Sequence, residues 1–402
     1  MSDFAGHLPG SRDYRRLLVG LFFGGVATFA QLYATQALLP QIASETGADA
    51  ATVALTVSAS TFGLAAAVIP WSVVADRVGR VPAMAVGIVA ATVLGGLAPL
   101  APDVGVLLAL RLGEGVALGA VPAVALAYLS EEVDVRHVAA AAGSYIAGTT
   151  VGGLSGRLLS GPVGELFGWR WGVGSVIVLC ALASAVFLAL VPRARGFVPG
   201  RSALVAGPSL AARLRTNLRS PVQLALYAQG FLLMGAFVAV YNYLGFHLRE
   251  APFLLAPGAV TLLFLAYLAG TVSSPRAGVL AVRRGRFTVL IGSIGVMALG
   301  AVILVVPFTP AVVAGLIVFT AGFFAAHAVA SGWTPIAAEP QARAQASSLY
   351  YLGYYGGSSV FGWALGIVYA GVGWEAFVAV VVVLCGLAAV LASLALRPKH
   401  AG

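Results

Sequence analysis

The sequence predicts an all-α membrane protein in which twelve transmembrane helices form two pseudo-symmetric lobes of six helices each. Three observations lead to this fold. The chain is 60% hydrophobic and only 9% charged, with a mean hydropathy of +0.97, whereas a soluble domain carries about 25% charged residues. Twelve apolar stretches are each long enough to cross a bilayer, which takes about 20 residues per helix. Short motifs in the first half of the chain recur in the second half.

The apolar stretches are predicted to be helices rather than strands. Because the bilayer core offers the backbone no water, a spanning segment is either a helix or part of a closed barrel. These stretches are long and lack an alternating polar pattern, which indicates helices. The helices are predicted near 17–40, 52–74, 81–100, 104–127, 138–161, 171–191, 222–245, 258–276, 287–306, 311–332, 344–366 and 374–396.

The distribution of charge predicts the orientation of these helices. Of 23 Lys and Arg residues, 19 fall in loops and tails on one side of the membrane. Arg170 and Arg249 fall on the other side, and Arg111 and Arg157 fall inside the membrane. Cytoplasmic loops carry the excess of Lys and Arg, so both termini are expected in the cytoplasm, with no cleaved signal peptide. The net charge of +9 then reflects topology, and no nucleic-acid partner is expected.

The recurring motifs predict two parallel repeats. The loop Asp76-Arg77-Val78-Gly79-Arg80 recurs 206 positions later as Val282-Arg283-Arg284-Gly285-Arg286. The pair Gly168-Trp169 recurs 205 positions later as Gly373-Trp374. Repeats of this kind are typical of secondary transporters, which alternate access to a site near the bilayer midplane.

The repeats also divide the chain. We expect an N-terminal six-helix lobe over 1–192, a cytoplasmic linker over 193–221 and a C-terminal six-helix lobe over 222–402. The linker is the longest polar stretch, and its pattern predicts a short helix around Leu210–Leu218.

The duplicated loop predicts a cytoplasmic gate. Asp76 can accept hydrogen bonds from the N-terminus of a facing helix, while Arg77 and Arg80 can pair with acids of neighbouring loops. Val282 replaces the acid in the second copy, so the gate is expected to be asymmetric. The simpler alternative is that the Arg residues only anchor the topology. The predicted gating residues are Asp76, Arg77, Gly79, Arg80, Glu131, Glu132, Arg283 and Arg286.

Four ionisable side chains are predicted inside the membrane, where such groups are costly and commonly functional. Arg111 and Glu114 lie one turn apart in helix four, Arg157 lies in helix five and His327 in helix ten. Either Glu114 or His327 is expected to carry a coupling proton, because Arg stays charged and His is the side chain suited to proton exchange. The alternatives are a fixed ion cluster of Arg111, Glu114 and Arg157, and a His327 that only bonds a neighbouring hydroxyl.

Tyr and amide side chains predict the lining of a substrate cavity. Ring faces suit apolar or cationic ligands, and hydroxyl and amide groups orient them. The alternative for any single Tyr is packing, or a place in the interfacial aromatic belt. The Tyr residues of helix eleven form two i,i+4 stripes, of which one is expected to dominate. The predicted lining residues are Gln31, Tyr33, Gln36, Tyr241, Asn242, Tyr350, Tyr351, Tyr354 and Tyr355.

Several of these motifs resemble a known family. The Asp76–Arg80 loop and Arg111-Leu-Gly-Glu114-Gly115 resemble signatures of the major facilitator superfamily. Nearly the whole chain resembles the acriflavine-sensitivity (YnfM-like) branch of bacterial inner-membrane efflux proteins, in segments that include Ala127-Tyr-Leu-Ser-Glu-Glu132, Asn242-Tyr-Leu-Gly245 and Ala321-Gly-Phe-Phe-Ala-Ala-His327.

The resemblance implies a multi-pass protein of the bacterial inner membrane that exports small amphipathic compounds with the proton gradient. It also implies roles for residues like Tyr33, Gln36, Arg111, Arg157 and His327. An acid at position 114 is not typical of the branch, which raises His327 as a candidate. Glu114 is nevertheless preferred as the carrier, because a carboxyl that meets Arg in one state and apolar surroundings in the other has the larger swing in pKa. Drug antiporters of the superfamily have a Gly- and Pro-rich motif in helix five. Here that helix carries Gly148, Gly152, Gly153 and Gly156, with Gly153 where the Pro is expected, and these glycines predict close approach of a neighbouring helix.

The sequence therefore predicts a monomeric, proton-coupled exporter of small amphipathic or cationic molecules, without a metal or other cofactor. One alternative is a symporter or facilitator for a sugar, amino acid or organic anion, in which Arg111 or Arg157 would hold a carboxylate. Another is a non-transporting receptor or scaffold on the same fold. No nucleophile accompanies His327 in a recognisable arrangement, so enzyme activity is not expected.

Overall fold

The computed structural model describes Phe4, residues 6–197 and residues 209–397, and these are nearly all helical. The centre of the predicted linker, 198–208, and both chain ends lie outside the described residues. Within the described part, twelve long helices follow one another as α1 Arg12–Thr46, α2 Ala50–Val78, α3 Arg80–Leu100, α4 Val104–Glu132, α5 Val138–Phe167, α6 Trp169–Leu190, α7 Pro221–His247, α8 Pro257–Arg284, α9 Arg286–Ile303, α10 Thr309–Ala337, α11 Arg343–Val372 and α12 Trp374–Ala395.

The prediction of twelve helical segments is confirmed. Ten of these helices are long and apolar enough to cross a membrane, judged by length and composition. The other two, α5 and α11, have 30 residues each and are rich in Gly and Ser, which lowers their hydropathy. They are repeat partners, since α11 begins and ends 205 positions after α5.

Single glycines make the tight turns within both halves. Gly79 precedes α3 with a φ of 101°, and Gly285 precedes α9 with a φ of 86°. Gly168 and Gly373, before α6 and α12, have φ values of 88° and 100°. A positive φ is strained for other residues, whereas Gly adopts it without a Cβ clash. The repeated motifs of the sequence therefore correspond to repeated helical turns.

Helix α1 is not the continuous helix that the sequence predicted. An α-helix over Arg12–Leu32 stops, residues 33–35 leave the helix, and the span resumes as a 3-10 turn over Gln36–Leu38 and a helix over Leu39–Thr46. The last carbonyl groups of a helix have no partners within the helix. An interruption in an apolar setting therefore needs other donors. Here they come from local turn bonds, such as Ala34 N–H to the Gln31 carbonyl oxygen at 3.1 Å, and from α4.

The glycines of α5 bring it against the backbone of α1, as predicted. A Cβ built on Gly152 would lie 2.5 Å from the carbonyl oxygen of Val26, and one on Gly156 would lie 2.6 Å from that of Ala30. These distances are too short for any side chain. In the other half, Gly357 of α11 lies equally close to the backbone of α7.

We expect Gly152→Ala to lower the free energy of unfolding by about 1–3 kcal/mol, because the methyl group forces α1 and α5 apart. The matched control is Gly143→Ala, also on α5, where an added Cβ meets nothing within 4 Å. It should be neutral or stabilise by up to about 1 kcal/mol, since Ala has the higher helix propensity. Thermal unfolding in detergent measures both, and equal Tm values would contradict this packing.

The chain divides into two compact units. The N-unit comprises Met1–Ala48 and Ala59–Ala206, and the C-unit comprises Asp49–Ser58 and Gly207–Gly402. The lobe boundaries taken from the sequence stay a prediction.

The C-unit contains the short helix that the sequence predicted in the linker. It spans Leu210–Arg219 and is capped by Ser209. The buried amide of Asn217 donates to the carbonyl oxygen of Ala342 at 3.0 Å, which holds this helix against the start of α11.

Candidate functional site

Arg111 supplies the donors for the interruption in α1. Its Nη1 donates to the carbonyl oxygen of Gln31 at 3.1 Å, and its Nη2 donates to that of Leu32 at 2.7 Å. The side chain is fully buried, and a cation at the C-terminal end of a helix is favoured by the helix dipole. Arg111, predicted from the sequence as a coupling residue, therefore also holds the break in α1.

Glu114 balances the charge of Arg111 but uses only one of its oxygens. Its Oε2 accepts from Arg111 Nη1 at 2.6 Å, and both side chains have 0% exposure. Its Oε1 is buried and has no hydrogen-bond partner among the described residues. Most buried polar atoms in proteins have a partner, and this oxygen belongs to a carboxyl group that is fully buried.

The second predicted arginine has different neighbours. Arg157 Nε donates to Gln36 Oε1 at 2.6 Å, and its Nη1 donates to the carbonyl oxygen of Gly153. The guanidinium also lies over the ring of Tyr33, 4.1 Å from the ring centre, where a cation–π interaction is favourable. Glu114 is thus paired with Arg111, while Arg157 is held by residues 33–36 where α1 is interrupted.

The three lining residues predicted on α1 are buried in the N-unit. Gln31 has 0% exposure, Gln36 2% and Tyr33 6%. Gln31 Nε2 donates to the carbonyl oxygen of Ala27 at 3.2 Å, and Gln36 Oε1 accepts from Arg157 Nε. Their role as a substrate lining stays a prediction.

In the C-unit, α10 and α11 bring His327 and Tyr350 together. His327 Nδ1 and the Tyr350 hydroxyl are 3.0 Å apart. The ring of Tyr354 lies 4.8 Å from that of His327, centre to centre. The residue His327 is half-buried, and its ring lies within this aromatic group.

A chain of stacked rings extends from His327 that sequence reasoning missed. Phe323 stacks on His327 at 6.0 Å, and Phe237 of α7 stacks on Phe323 at 3.9 Å. Tyr241 continues the chain, with its ring 5.0 Å from that of Phe237. Phe323 lies four residues before His327, and residues at that spacing share a helix face. That spacing could have indicated from the sequence that Phe323 lies beside His327.

Two of the predicted lining residues on α7 are buried by contacts with other helices. The hydroxyl of Tyr241 lies 2.8 Å from Thr320 Oγ1 of α10. The amide of Asn242 donates to the carbonyl oxygen of Gly362 of α11 at 3.2 Å. These bonds join α7 to α10 and α11.

The four predicted Tyr residues of α11 differ in exposure. Tyr350 is 1% exposed and Tyr355 is 6% exposed, whereas Tyr351 is 40% exposed and Tyr354 is half-buried. Each i,i+4 stripe therefore contains one buried ring and one accessible ring. We infer that accessibility, rather than stripe membership, decides which Tyr a ligand can reach.

We expect Tyr354→Ala to weaken substrate binding by about 0.5–2 kcal/mol, the range for one aromatic or cation–π contact. Tyr355→Ala should instead lower thermal stability and leave affinity nearly unchanged, since its ring is buried. Substrate binding and Tm measured on both purified variants test this difference. Equal losses of affinity in the two would show that these rings act together.

The first copy of the duplicated loop forms an ion-pair cluster within the N-unit. Arg80 donates to Glu131 at the end of α4, at 2.8 Å for Nη2 and Oε1, and to Asp76 Oδ1 at 2.6 Å. The ring of Phe197 lies 5.2 Å from the Arg80 guanidinium carbon. Asp76 thus accepts from the Arg80 side chain, whereas the sequence predicted backbone donors. Arg77 of the same loop is exposed.

The second copy of the loop lacks such a cluster in the part of the chain that the structure describes. Val282 stands in place of the acid and is 89% exposed. Arg283 and Arg286 are exposed as well. The two copies share the helical turn at Gly79 and Gly285 but differ in their ion pairs, in line with the predicted asymmetry.

Glu132 binds backbone groups, whereas its neighbour Glu131 binds the Arg80 side chain. Its Oε1 accepts from the backbone N–H groups of Arg195 at 2.7 Å and Gly196 at 2.6 Å. His7 Nε2 lies 3.8 Å from its other oxygen. Burial lowers the pKa of His7, although Asp13 opposes this, so the ring is neutral at pH 7. Glu132 therefore ties the start of the linker to α4 through backbone bonds.

Comparison with known proteins establishes the family. The sequence pattern of the Major Facilitator Superfamily matches residues 21–339. The chain belongs to this superfamily. It is 36% identical over 378 residues to the inner membrane transport protein YnfM of Escherichia coli (strain K12). The matched residues cover 93% of this chain and 90% of that protein.

Two further similarities bear on fold and on function. A bacterial homologue of the human lysosomal transporter Spinster, solved in an inward-facing and unoccupied conformation, has a TM-score of 0.79 at 15% identity, over 96% of this chain and 98% of that chain. The multi-drug resistance efflux pump PmrA of Streptococcus pneumoniae serotype 4 is 31% identical over 175 residues, 42% of this chain and 43% of that protein.

Membership in the superfamily makes the protein a multi-pass membrane transporter with a small-molecule substrate. The two-lobed, twelve-helix major facilitator fold predicted from the sequence is confirmed. Relatives in this superfamily are transporters and not enzymes, in agreement with the prediction.

We expect Asp76→Asn to slow transport while leaving folding and substrate affinity within a few-fold. Arg80 loses one of its two carboxylate partners, which alters the balance between conformations. A contact worth about 1–3 kcal/mol shifts such a balance by about 5–150-fold. The control is Asp134→Asn, which removes an ion pair with Arg136, whose side chain is 72% exposed. Transport rates in proteoliposomes measure both, and an unchanged rate for Asp76→Asn would refute the gating role.

Proposed function

We propose that the protein is a proton-coupled exporter of small amphipathic or cationic compounds that works by alternating access. Its relatives support export across an inner membrane, since YnfM is an inner membrane transport protein and PmrA is a multi-drug efflux pump. The bias of Lys and Arg supports cytoplasmic termini in a bacterial cytoplasmic membrane. We further propose a monomer that needs no nucleic acid and no cofactor.

The observation that carries the proton coupling is the free oxygen of Glu114. One oxygen of this buried carboxyl binds Arg111 while the other has no partner among the described residues. A carboxylate accepts only, whereas a protonated carboxyl also donates one hydrogen bond. A proton on Oε1 would therefore add a donor while the hydrogen bond from Arg111 to Oε2 remains, although the carboxyl would no longer balance the charge of Arg111. We propose Glu114 as the proton carrier on this basis.

His327 is the second candidate for the proton. Its Nδ1 is bonded to the Tyr350 hydroxyl, and its ring lies among those of Phe323 and Tyr354. These contacts support a role in orienting a ligand against aromatic faces. We therefore assign His327 to the substrate region together with the accessible rings of Tyr351 and Tyr354, and retain its role in coupling as the alternative.

The accessible rings of Tyr351 and Tyr354 beside His327 support the proposed substrate class. Rings attract apolar and cationic groups through their faces, and the hydroxyl groups of Tyr351 and Tyr354 add polar contacts. An organic-anion symporter would need an available cation. Arg111 and Arg157, the two candidates, already bind a carboxylate, backbone carbonyl groups and an amide. Anion symport is thus the weaker alternative.

Proton movement in proteoliposomes tests the proposed function. Purified protein is reconstituted with a pH-sensitive dye inside the vesicles, and candidate cationic, amphipathic and anionic compounds are added in turn. An exporter moves protons opposite to the compound, a symporter moves them with it, and a receptor or scaffold moves neither. Substrate transport without proton movement would refute coupling and leave a facilitator.

A further inference from the structure

We propose that Gln31 is the acceptor that holds the coupling proton on Glu114. The inference rests on the proposed function and gives Gln31 a role in proton binding, in place of the predicted lining role. Gln31 lies at the end of the first segment of α1, and Glu114 lies in α4. Both side chains are fully buried, and each has an Oε1 atom without a hydrogen-bond partner among the described residues.

The two free oxygens border the same small space. A Cβ built on Gly95 of α3 would lie 2.9 Å from Glu114 Oε1 and 3.0 Å from Gln31 Oε1. Ile177 Cδ1 would lie 2.6 Å from the same Cβ, so a methyl group fills part of this space and makes it apolar. Two buried acceptors without a donor are costly. One proton on Glu114 Oε1 satisfies both atoms, because the carboxyl then donates to the amide oxygen directly or across one water molecule.

The hydrogen bonds of Gln31 Nε2 fix the orientation of the Gln31 amide. Its Nε2 donates to the carbonyl oxygen of Ala27 at 3.2 Å and lies 3.5 Å from Thr92 Oγ1. Thr92 Oγ1 in turn lies 3.3 Å from Ser184 Oγ of α6. Turning the amide would place its oxygen against the Ala27 carbonyl, which is also an acceptor. The amide therefore presents oxygen to Glu114 and favours the protonated carboxyl.

The charged and titratable neighbours of Glu114 leave Oε1 available for the proton. Arg111, on the same helix, donates to the other oxygen, Oε2. Cys180 of α6 is buried, is hydrogen-bonded to the side chain of Gln31 and lies beside Glu114. When the proton leaves, two acceptors face each other across the space at Gly95. Proton release therefore favours movement of α1 away from α4 beside Gly95. Binding and release of the proton are thereby coupled to the position of α1.

The test compares Gln31→Leu with Gln229→Leu in the full-length, reconstituted protein. Gln229 of α7 is the matched control, because it is 1% exposed, bonds the carbonyl oxygen of Ala225 at 3.2 Å and also has a free Oε1. Infrared difference spectra between acidic and alkaline pH report protonated carboxyl groups, and the band lost in Glu114→Gln belongs to Glu114. The pH profile of transport is the second measurement.

We expect the Glu114 band to move to higher wavenumber in Gln31→Leu, because the carboxyl loses its acceptor. The midpoint of the transport pH profile should fall by about one pH unit, because the free energy of one net hydrogen bond is about that of a pKa shift of one unit. Gln229→Leu should change neither. If Leu impairs folding, Gln31→Met keeps the side-chain length and gives the same result.

An unmoved Glu114 band, or a midpoint that stays or rises, in both Gln31 variants would overturn the inference and leave the proposed function intact. A band shift that Gln229→Leu shares would overturn it as well, because the effect would then be general to buried glutamines. The absence of any band that depends on Glu114 would overturn both the inference and the choice of Glu114 as carrier.

Discussion

Glu114→Gln should abolish substrate accumulation driven by a pH gradient while substrate exchange without a gradient continues. The amide keeps the size of the side chain, can accept from Arg111 and presents a donor toward Gln31. It thus imitates the protonated carboxyl and should not disturb packing. A gradient of one pH unit supports about tenfold accumulation per proton, so the wild-type protein should concentrate its substrate by up to that factor and the variant should not.

Counterflow and pH-driven transport in proteoliposomes provide the measurement. The control is Glu165→Gln, which changes an exposed acid of α5 and should leave both activities unchanged. A Glu114→Gln protein that still concentrates substrate with a normal pH dependence would exclude Glu114 as the carrier. His327→Gln would then be the variant expected to uncouple transport.

Arg111→Met should lower the free energy of unfolding by about 3–5 kcal/mol, the usual loss when one member of a buried ion pair is removed. The variant leaves Glu114 without its cation and the carbonyl group of Leu32 without its donor, while the carbonyl group of Gln31 keeps only the backbone N–H of Ala34. The break in α1 would lose its cap. Thermal unfolding or urea denaturation of the detergent-solubilised protein measures the loss.

The matched control for this variant is Arg170→Met. Arg170 also pairs with a glutamate, Glu45, but the two side chains are 41% and 48% exposed. Exposed pairs contribute about 0–1 kcal/mol. The double variant Arg111→Met/Glu114→Gln should recover part of the loss, because the unpaired acid is gone while the Leu32 carbonyl group still lacks its donor. A full recovery would mean that Arg111 does not support α1.

The helices could be predicted because their signals are local. Length and apolarity identify a spanning helix, and a glycine that permits a positive φ marks a tight turn such as those at Gly79 and Gly168. The glycines of α5 likewise predicted the close approach of a neighbouring helix, which is α1. The break in α1 was not predicted, since residues 33–35 are compatible with a helix and the Arg111 donors that support the interruption come from a distant part of the chain.

The candidate site was predicted as a set of residue types but not as an arrangement. Arg111, Glu114, Arg157 and His327 stood out because ionisable groups are rare in apolar helices. Their pairing could not be predicted. Arg157 is bound by Gln36, 121 positions away, and His327 by Tyr350, 23 positions away. Such partners depend on how the helices pack, which the sequence pattern of one helix does not reveal.

The amino-acid sequence by itself determined that this protein is a twelve-helix membrane protein built from two repeats, because hydropathy, segment length and motif spacing are properties of the chain alone. Only the tertiary structure decided that Arg111 caps α1 and that Glu114 keeps one free oxygen. It also placed that oxygen beside the amide of Gln31. These contacts join residues about 80 positions apart, and a buried hydrogen bond exists only where folding brings its donor and acceptor within about 3 Å.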